Sequence, residues 1–389
     1  MPATALRLAA PREVLVTPPT PYVAYDPDSA RPPGETLKDQ LDALGIPQAD
    51  LARRTGLSTK HINQIIQGTA VLSPETALLL ERTTKIPASM WNQLEAAWRT
   101  HVTRDQELVR LSKHIGWLDK FSLSELVKRK ILPTKDTSAA NLQRLLEFFG
   151  VADPAVAEDL WRSYRTAFRR STVLETNDYA TAVWLRQAEL EARELPCQPF
   201  DRAALTVLLP RLRALTVEKP ETWRGRITDL CAQAGVAVVF IPAPPRSHVS
   251  GATRWLAPDK VGVALSDRFK KDDHFWFTVF HEIGHILLHG KRLTFLDNTD
   301  PEDELTAEGD RSEEEANVFA AETLIPPEYA AAYRNLASRP MPFTRIEAFA
   351  DKAGIAPGIV VGRLQHDGAL EWTHGNKYKR SVEIIPADG

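Results

Sequence analysis

The sequence predicts a multidomain protein that is mainly α-helical, with a smaller α+β unit towards the C terminus. The chain has 389 residues, which corresponds to about two or three domains. Amphipathic segments with helical spacing and short turns fill residues 34–215. Beyond Pro220, short β-rich runs bounded by Pro, Gly and Ser precede two long helical segments, which indicates strands followed by helices on one side.

Composition narrows the class of protein. Hydrophobic residues make up 43% and charged residues 25%, which is ordinary for a globular protein with real cores. The formal net charge of −3 excludes a protein whose whole surface is basic, so binding to DNA would need a local patch of basic residues. Two cysteines argue against a disulfide framework. Without a signal-peptide pattern or an apolar window of about eighteen residues, we expect a cytoplasmic protein.

The order of the segments predicts five regions. The outer two are a Pro-rich N-terminal extension and a C-terminal tail, which we expect to be solvated. Between them lie a small helical domain, a helical linker or scaffold region, and the α+β domain with its small sheet. In chain order the regions span residues 1–32, 33–100, 101–215, 216–370 and 371–389.

The most informative pattern lies in an apolar helical segment predicted to span residues 272–290. His281, Glu282 and His285 spell H-E-x-x-H there, and positions i and i+4 share one helix face. Two imidazoles on one face can bind one Zn²⁺, which lowers the pKa of a bound water towards about 7, and Glu282 can then take its proton. The alternative, buried core histidines, leaves imidazole unpaired at a cost. His289 lies about 12 Å from His281 along the axis of the predicted helix, which is too far for both to bind the same metal ion.

The third metal ligand must therefore come from another segment. The later helical segment RSEEEANVFAAETLIPP offers Glu313, Glu314 and Glu315. By helical angle Glu314 points away from the apolar stripe, whereas Glu313 and Glu315 border it, and periodicity does not choose between these two. Glu315 has an alternative role, because Ser312-x-x-Glu315 is a capping box that would mark a helix start.

The segment QADLARRTGLSTKHINQIIQG has the pattern of a helix-turn-helix. Gly56 permits a left-handed turn, Ser58 caps the second helix, and Ile62 and Ile65, with Ile66, face the core. The outward side chains are short or amide-bearing and suit base edges, while the basic ones suit phosphates. The alternative is a plain helical bundle with a solvated polar face. The predicted DNA-binding residues are Gln48, Arg53, Ser58, Thr59, Lys60, Asn63 and Gln64.

Over residues 220–365, the motifs HEIGHILLHG and EEEANVFAAETLIPP, with SGATRWL and VGVALS, resemble the ImmA/IrrE family of metallopeptidases. The resemblance implies Zn²⁺ with three protein ligands and an open position for water, Glu282 as general base, and Glu315 as the preferred third ligand. It also implies that the strand at VGVALS lies beside the cleft, where a substrate peptide could add as an extra strand. The implied substrate is a repressor or antitoxin.

Residues 33–100 resemble XRE-type repressors, and more closely the HigA-type antitoxins, in PPGETLKDQLDALGIPQADLARRTGLS and SPETALLLERTTKIPASMWNQLEAAW. This resemblance implies a homodimer that binds operator DNA. Together the two resemblances imply a transcriptional regulator with a zinc-dependent endopeptidase domain that acts on a partner repressor or a toxin–antitoxin component. The alternative is a HigA-like antitoxin or repressor whose metal site is structural or sensory. Glu282 favours the enzyme, because a structural zinc site needs no carboxylate beside its first histidine.

One internal echo remains. Residues Phe349–Gly368 repeat the Ala, Gly and aliphatic spacing of the helix-turn-helix segment. They could form a second DNA-binding pair or a helical pair that packs on the peptidase-like domain. We favour packing, because Pro357 interrupts the segment and few polar residues point outward.

Overall fold

The computed structural model describes residues 31–168, 178–245, 249–268, 270–289, 304–337 and 342–384. Nearly all of the predicted N-terminal extension lies outside these residues. The chain forms two compact units, Met1–Arg110 and Leu111–Gly389. No helix among the described residues is long and apolar enough to cross a membrane.

The first unit is a small helical bundle. Its helices are α1 (Pro33–Leu44), α2 (Gln48–Thr55), α3 (Thr59–Ile66), α4 (Pro74–Thr84) and α5 (Ala88–Leu111). Local sequence sets several of the ends: Gly56 adopts φ 74° between α2 and α3, and the Ser58 side chain accepts a hydrogen bond from the backbone N–H of His61. The fully buried core includes Leu37, Leu51, Ile62, Leu80 and Trp91.

The second unit begins with a helical part built around aromatic rings. A 3-10 segment, Ser112–Lys120, is followed by α6 (Leu123–Lys128), α7 (Ala139–Phe149), α8 (Pro154–Phe168), α9 (Asp178–Glu194), α10 (Arg202–Ala214) and α11 (Pro220–Ala232). Trp117 stacks on Trp161, and both contact Phe121 and Phe149 edge-on. This cluster gives residues of the predicted linker or scaffold region a hydrophobic core of their own.

Among the described residues the sheet has three strands, as the β-rich runs predict: β1 (Val236–Phe240), β2 (Gly251–Ala257) and β3 (Lys260–Leu265). The strand order is β1-β3-β2, so β3 is central; it pairs in parallel with β1 and antiparallel with β2. Because side chains alternate along a strand, the sheet has two different faces. One face packs against α11 and the helix that carries the histidine motif.

Helix α9 covers the other face, so the expectation that helices lie on one side of the sheet is wrong. Trp184 is fully buried there and donates from Nε1 to the carbonyl of Ile241 at 3.0 Å. Ala188 and Ala192, one and two turns further on, pack against small strand residues such as Ala237 and Ala264. The small side chains allow helix and sheet to approach closely.

The remaining helices are α12 (Asp272–His289), α13 (Glu304–Leu324), α14 (Ala330–Ala337), α15 (Phe343–Ala353) and α16 (Pro357–His366). Helices α15 and α16 form the echo segment, and Ile359, Val360 and Leu364 of α16 are buried in the core shared with α12. The echo is therefore a packing pair, as the sequence favours. The segment after residue 370 was expected to be solvated, yet Val382 and Ile384 are buried and Ser381 forms a bridge with Lys271.

Candidate metal centre

Helices α12 and α13 cross closely at one glycine. A Cβ atom on Gly284 would lie 3.0 Å from Cδ1 of Phe319 and 3.3 Å from Cα of Ala316. Ala316 and Ala320 are fully buried at the same crossing. The small residues let the α13 backbone approach the motif helix, so that a carboxylate one turn before this contact reaches the histidines.

That carboxylate belongs to Glu313. Its Oε2 lies 3.2 Å from Nε2 of His281, and its Oε1 lies 3.4 Å from Nε2 of His285. The two histidine Nε2 atoms are 3.0 Å apart, and one donor atom from each of the three residues lies within 4.8 Å of the others. Ligand atoms about 2 Å from a tetrahedral Zn²⁺ are about 3.3 Å apart. Two imidazoles and one carboxylate at these separations therefore fit a zinc ion with a fourth position open.

The structure brings Glu313, and not Glu315, which the family resemblance prefers as third ligand, to the two motif histidines. Glu315 accepts a hydrogen bond from Arg311 at 2.8 Å and lies 3.7 Å from Nδ1 of His289, away from the pair of motif histidines. Side chains two positions apart in a helix point about 200° away from each other around its axis. Glu313 and Glu315 therefore border the buried stripe on different sides. The capping box does not form, because α13 begins at Glu304 and Ser312 lies inside the helix.

Neighbouring groups orient the histidine rings. Nδ1 of His281 lies 3.0 Å from Oδ1 of Asn317, which leaves Nε2 facing Glu313. A hydrogen bond at the far ring nitrogen fixes the tautomer of a metal-binding histidine. His289 acts at the end of α12, where its Nε2 lies 3.0 Å from the carbonyl of Ser312 and ties the helix to the residue before Glu313. Asn317 could have been found from the sequence, because it lies one turn after Glu313 and so shares the helix face that looks towards His281.

Electrostatics within the site favour a cation. Burial disfavours the ionised form of Glu313, yet hydrogen bonds with His281 and His285 hold its pKa well below the usual range. Burial also opposes protonation of His281, but the carboxylates of Glu313 and Glu282 raise its pKa above the ordinary value. A divalent ion can replace the shared protons between these groups, because the same carboxylate and ring nitrogens are its ligands.

Glu282 is held apart from the three candidate ligands. Its side chain is 6% exposed, and its Oε2 accepts a hydrogen bond of 2.7 Å from Oγ1 of Thr253 on β2. Burial raises the pKa of Glu282, although the charges of His281 and His285 oppose the rise. A carboxylate with a raised pKa is suited to proton transfer near neutral pH.

The helix-turn-helix residues lie on the first unit. Thr59, Lys60 and Asn63 are exposed on α3, and Gln48 and Gln64 are half-buried. Ser58 is exposed and caps α3 as predicted. Arg53 forms an ion pair of 2.9 Å with Asp50 on its own helix, and Arg54 forms another of 2.7 Å. The polar side of α3 is thus exposed to solvent, and Asp50 offsets part of the positive charge of α2.

Comparisons with known proteins match both regions. Residues 37–91 match a family model described as helix-turn-helix, and residues 231–340 match a peptidase family model described as IrrE N-terminal-like domain. An uncharacterized HTH-type transcriptional regulator, YddM of Escherichia coli (strain K12), is 29% identical over 66 residues, which cover 17% of this chain and 70% of that protein. The first match contains α2 and α3, and the second contains the sheet, α12 and α13. The chain therefore combines a helix-turn-helix domain of the XRE type, at residues 37–91, with an IrrE/ImmA-like peptidase-family domain at residues 231–340.

Proposed function

We propose that the chain is a zinc-dependent endopeptidase that cuts a partner repressor or a toxin–antitoxin component and that binds operator DNA, as a homodimer, through its helix-turn-helix. His281, His285 and Glu313 hold the Zn²⁺, and Glu282 is the general base. The observation that carries this proposal is the convergence of two ring nitrogens and one carboxylate within 4.8 Å beside a buried glutamate that is not needed as a ligand.

The reaction requires little of the protein beyond position and proton transfer. Zn²⁺, when bound, makes water more acidic and polarises a peptide carbonyl. Glu282 takes the proton of the attacking water and then delivers it to the leaving amine. The raised pKa of Glu282 suits both steps, because a weakly basic carboxylate would accept the proton poorly and a strongly basic one would not release it.

The edge of the sheet offers a place for a substrate peptide. The expected strand, VGVALS, is β3, which is paired on both sides and cannot accept another strand. Strand β2 lies at the end of the strand order, packs beside α12, and pairs on one side only among the described strands. We therefore place the extended substrate along β2, where main-chain hydrogen bonds would bring a peptide bond towards Glu282.

The proposal is tested with the zinc-loaded full-length chain and Glu282→Gln. Candidate substrates are proteins encoded by neighbouring genes and a mixture of synthetic tetradecapeptides, with products identified by mass spectrometry. The variant should keep its zinc and lose about 10²- to 10⁴-fold in cleavage rate, because general-base catalysis supplies that factor. A wild-type chain that binds zinc and its own upstream DNA but cuts none of these substrates would support the structural or sensory alternative.

We propose that α3 contacts the DNA, with Thr59, Asn63 and Gln64 at base edges and Lys60 on a phosphate. The preceding segment contributes contacts with the DNA backbone through Gln48, Arg53 and Ser58. Lys60→Ala should weaken binding to the chain's own upstream DNA and to unrelated DNA alike and should reduce the salt slope by about one. Asn63→Ala should weaken only the specific complex, by about 1–3 kcal/mol. Titrations on both DNAs at several salt concentrations check this, and equal losses on both DNAs for Asn63→Ala would contradict base readout.

A further inference from the structure

We propose that Thr253 is a positioning residue for the general base: its hydroxyl holds the Glu282 carboxylate by one oxygen and leaves the other oxygen for the attacking water. This role rests on the proposed function and extends it to the edge strand. It assigns a part in the reaction to a residue that lies outside the H-E-x-x-H motif.

The contact is short and enclosed. Oγ1 of Thr253 donates to Oε2 of Glu282 at 2.7 Å and also lies 3.3 Å from the backbone carbonyl of the same residue. Thr253 is half-buried and Glu282 is buried. A hydrogen bond to an ionised acceptor in an enclosed site is stronger than one between neutral groups, so it can fix the rotation of the carboxylate.

A second feature of β2 acts on the same carboxylate. Gly251 and Thr253 are two residues apart and share the face of β2 that looks towards α12. A Cβ atom on Gly251 would lie 2.6 Å from Oε1 of Glu282 and 2.7 Å from Cγ2 of Thr278, so no side chain fits there. The strand thus offers a donor at one oxygen of Glu282 and a close backbone approach, with no side chain, at the other.

These two features specify an orientation. With Oε2 held by Thr253, the Oε1 atom lies beside the backbone of Gly251, which carries no side chain that could displace it. The strand that positions the base is also the edge along which we place the substrate. The base and the peptide bond would therefore share one reference element, which keeps their separation constant when the substrate docks.

The chain offers a matched control for removal of the hydroxyl. Thr228 is half-buried in the same unit, on α11, and its Oγ1 donates to the backbone carbonyl of Val238 at 3.2 Å. Thr253→Val and Thr228→Val therefore make the same chemical change, one beside Glu282 and one against a strand carbonyl. Thr253→Ser restores the hydroxyl without the methyl group.

The kinetic test uses the tetradecapeptide that the zinc-loaded wild type cuts best. Thr253→Val should keep its zinc and its KM and should lose about ten- to a hundredfold in kcat, which is part of the factor that a general base supplies. Thr253→Ser should recover most of that loss, and Thr228→Val should stay within about twofold of wild type. An active wild type with an unchanged kcat in Thr253→Val would overturn the positioning role and leave the proposed function standing.

A second readout needs neither metal nor substrate. In the metal-free protein, Thr253→Val should lower the unfolding temperature by about 3–6 °C, and this loss should become much smaller when Glu282 is already alanine, because only the longer contact with the backbone carbonyl remains. The loss in Thr228→Val should be the same in both backgrounds. Equal losses for Thr253→Val in both backgrounds would show that the hydroxyl does not act on Glu282. A wild type that cuts no peptide would overturn the proposed function and the catalytic part of this role, while the unfolding temperatures still decide the contact.

Discussion

Replacing Glu313 with glutamine is expected to reduce the affinity for zinc by more than about a hundredfold, because even partners outside the ligand shell cost about 10- to 100-fold. The same substitution at Glu315 should leave the affinity within a few-fold of wild type. The reason is the placement of the two side chains: Glu313 contacts both motif histidines, whereas Glu315 contacts Arg311.

Competition between the protein and a zinc-binding dye measures both affinities. The two variants are matched, since they remove the same charge two residues apart on one helix. Circular dichroism of the metal-free proteins should show equal helix content, which separates loss of a ligand from loss of the fold. The opposite ranking, with Glu315→Gln losing zinc and Glu313→Gln keeping it, would restore the ligand that the family resemblance prefers.

The second large effect concerns the stability of the motif helix. Asp272 is 0% exposed in the first turn of α12, and the C-terminal segment supplies its partner, Arg380. The guanidinium donates from Nε to Oδ2 of Asp272 at 2.8 Å and from Nη1 to the carbonyl of Glu218 at 2.6 Å, and it lies 4.9 Å from the ring of Trp223. Arg380→Met should cost about 3–5 kcal/mol in the free energy of unfolding, because it leaves a buried carboxylate without its cation.

Urea denaturation of the metal-free protein measures this loss. Arg226→Met is the control, because its ion pair with Glu218 is more exposed and longer, 3.4 Å, and should contribute about 0–1 kcal/mol. Adding Asp272→Asn to Arg380→Met should recover part of the stability, since the unpaired charge is removed. A loss for Arg380→Met no larger than that of the control would mean that the C-terminal segment does not anchor α12.

Those features that depend on a single helix or turn could be predicted from the sequence. His281 and His285 share a face because four residues make about one helical turn, whatever the rest of the chain does. Gly56 and Ser58 similarly fix the turn and the start of α3 through local backbone geometry. The three strands follow from β-rich runs bounded by turn residues.

The third candidate ligand could not be predicted, because it depends on how two helices pack. Glu313 and Glu315 are equivalent at the border of the apolar stripe until the approach of α13 to Gly284 sets the rotation of that helix. The partner of Glu282 is equally remote in sequence, since Thr253 lies 29 residues away on a strand. Local periodicity predicts neither the contact of Glu313 with the histidines nor the contact of Thr253 with Glu282.

The C-terminal segment shows a different reason for a wrong expectation. Its Lys and Arg residues are typical of a solvated end, but two aspartates at the start of an apolar helix need cationic partners when that start is buried. Lys379 lies 2.6 Å from Asp273, as Arg380 lies beside Asp272. The unmatched acidic pair at the start of α12 was the available signal, and its partners follow about a hundred residues later in the chain.

Diffraction from crystals of the zinc-loaded chain, with anomalous differences collected above and below the zinc edge, tests the account most directly. We expect one strong zinc peak per chain, with bonds of about 2.0–2.2 Å to Nε2 of His281, Nε2 of His285 and a carboxylate oxygen of Glu313. Glu282 should stand beside the open position without binding the ion. No peak at this place, or a peak bound by Glu282 or Glu315 in place of Glu313, would contradict it.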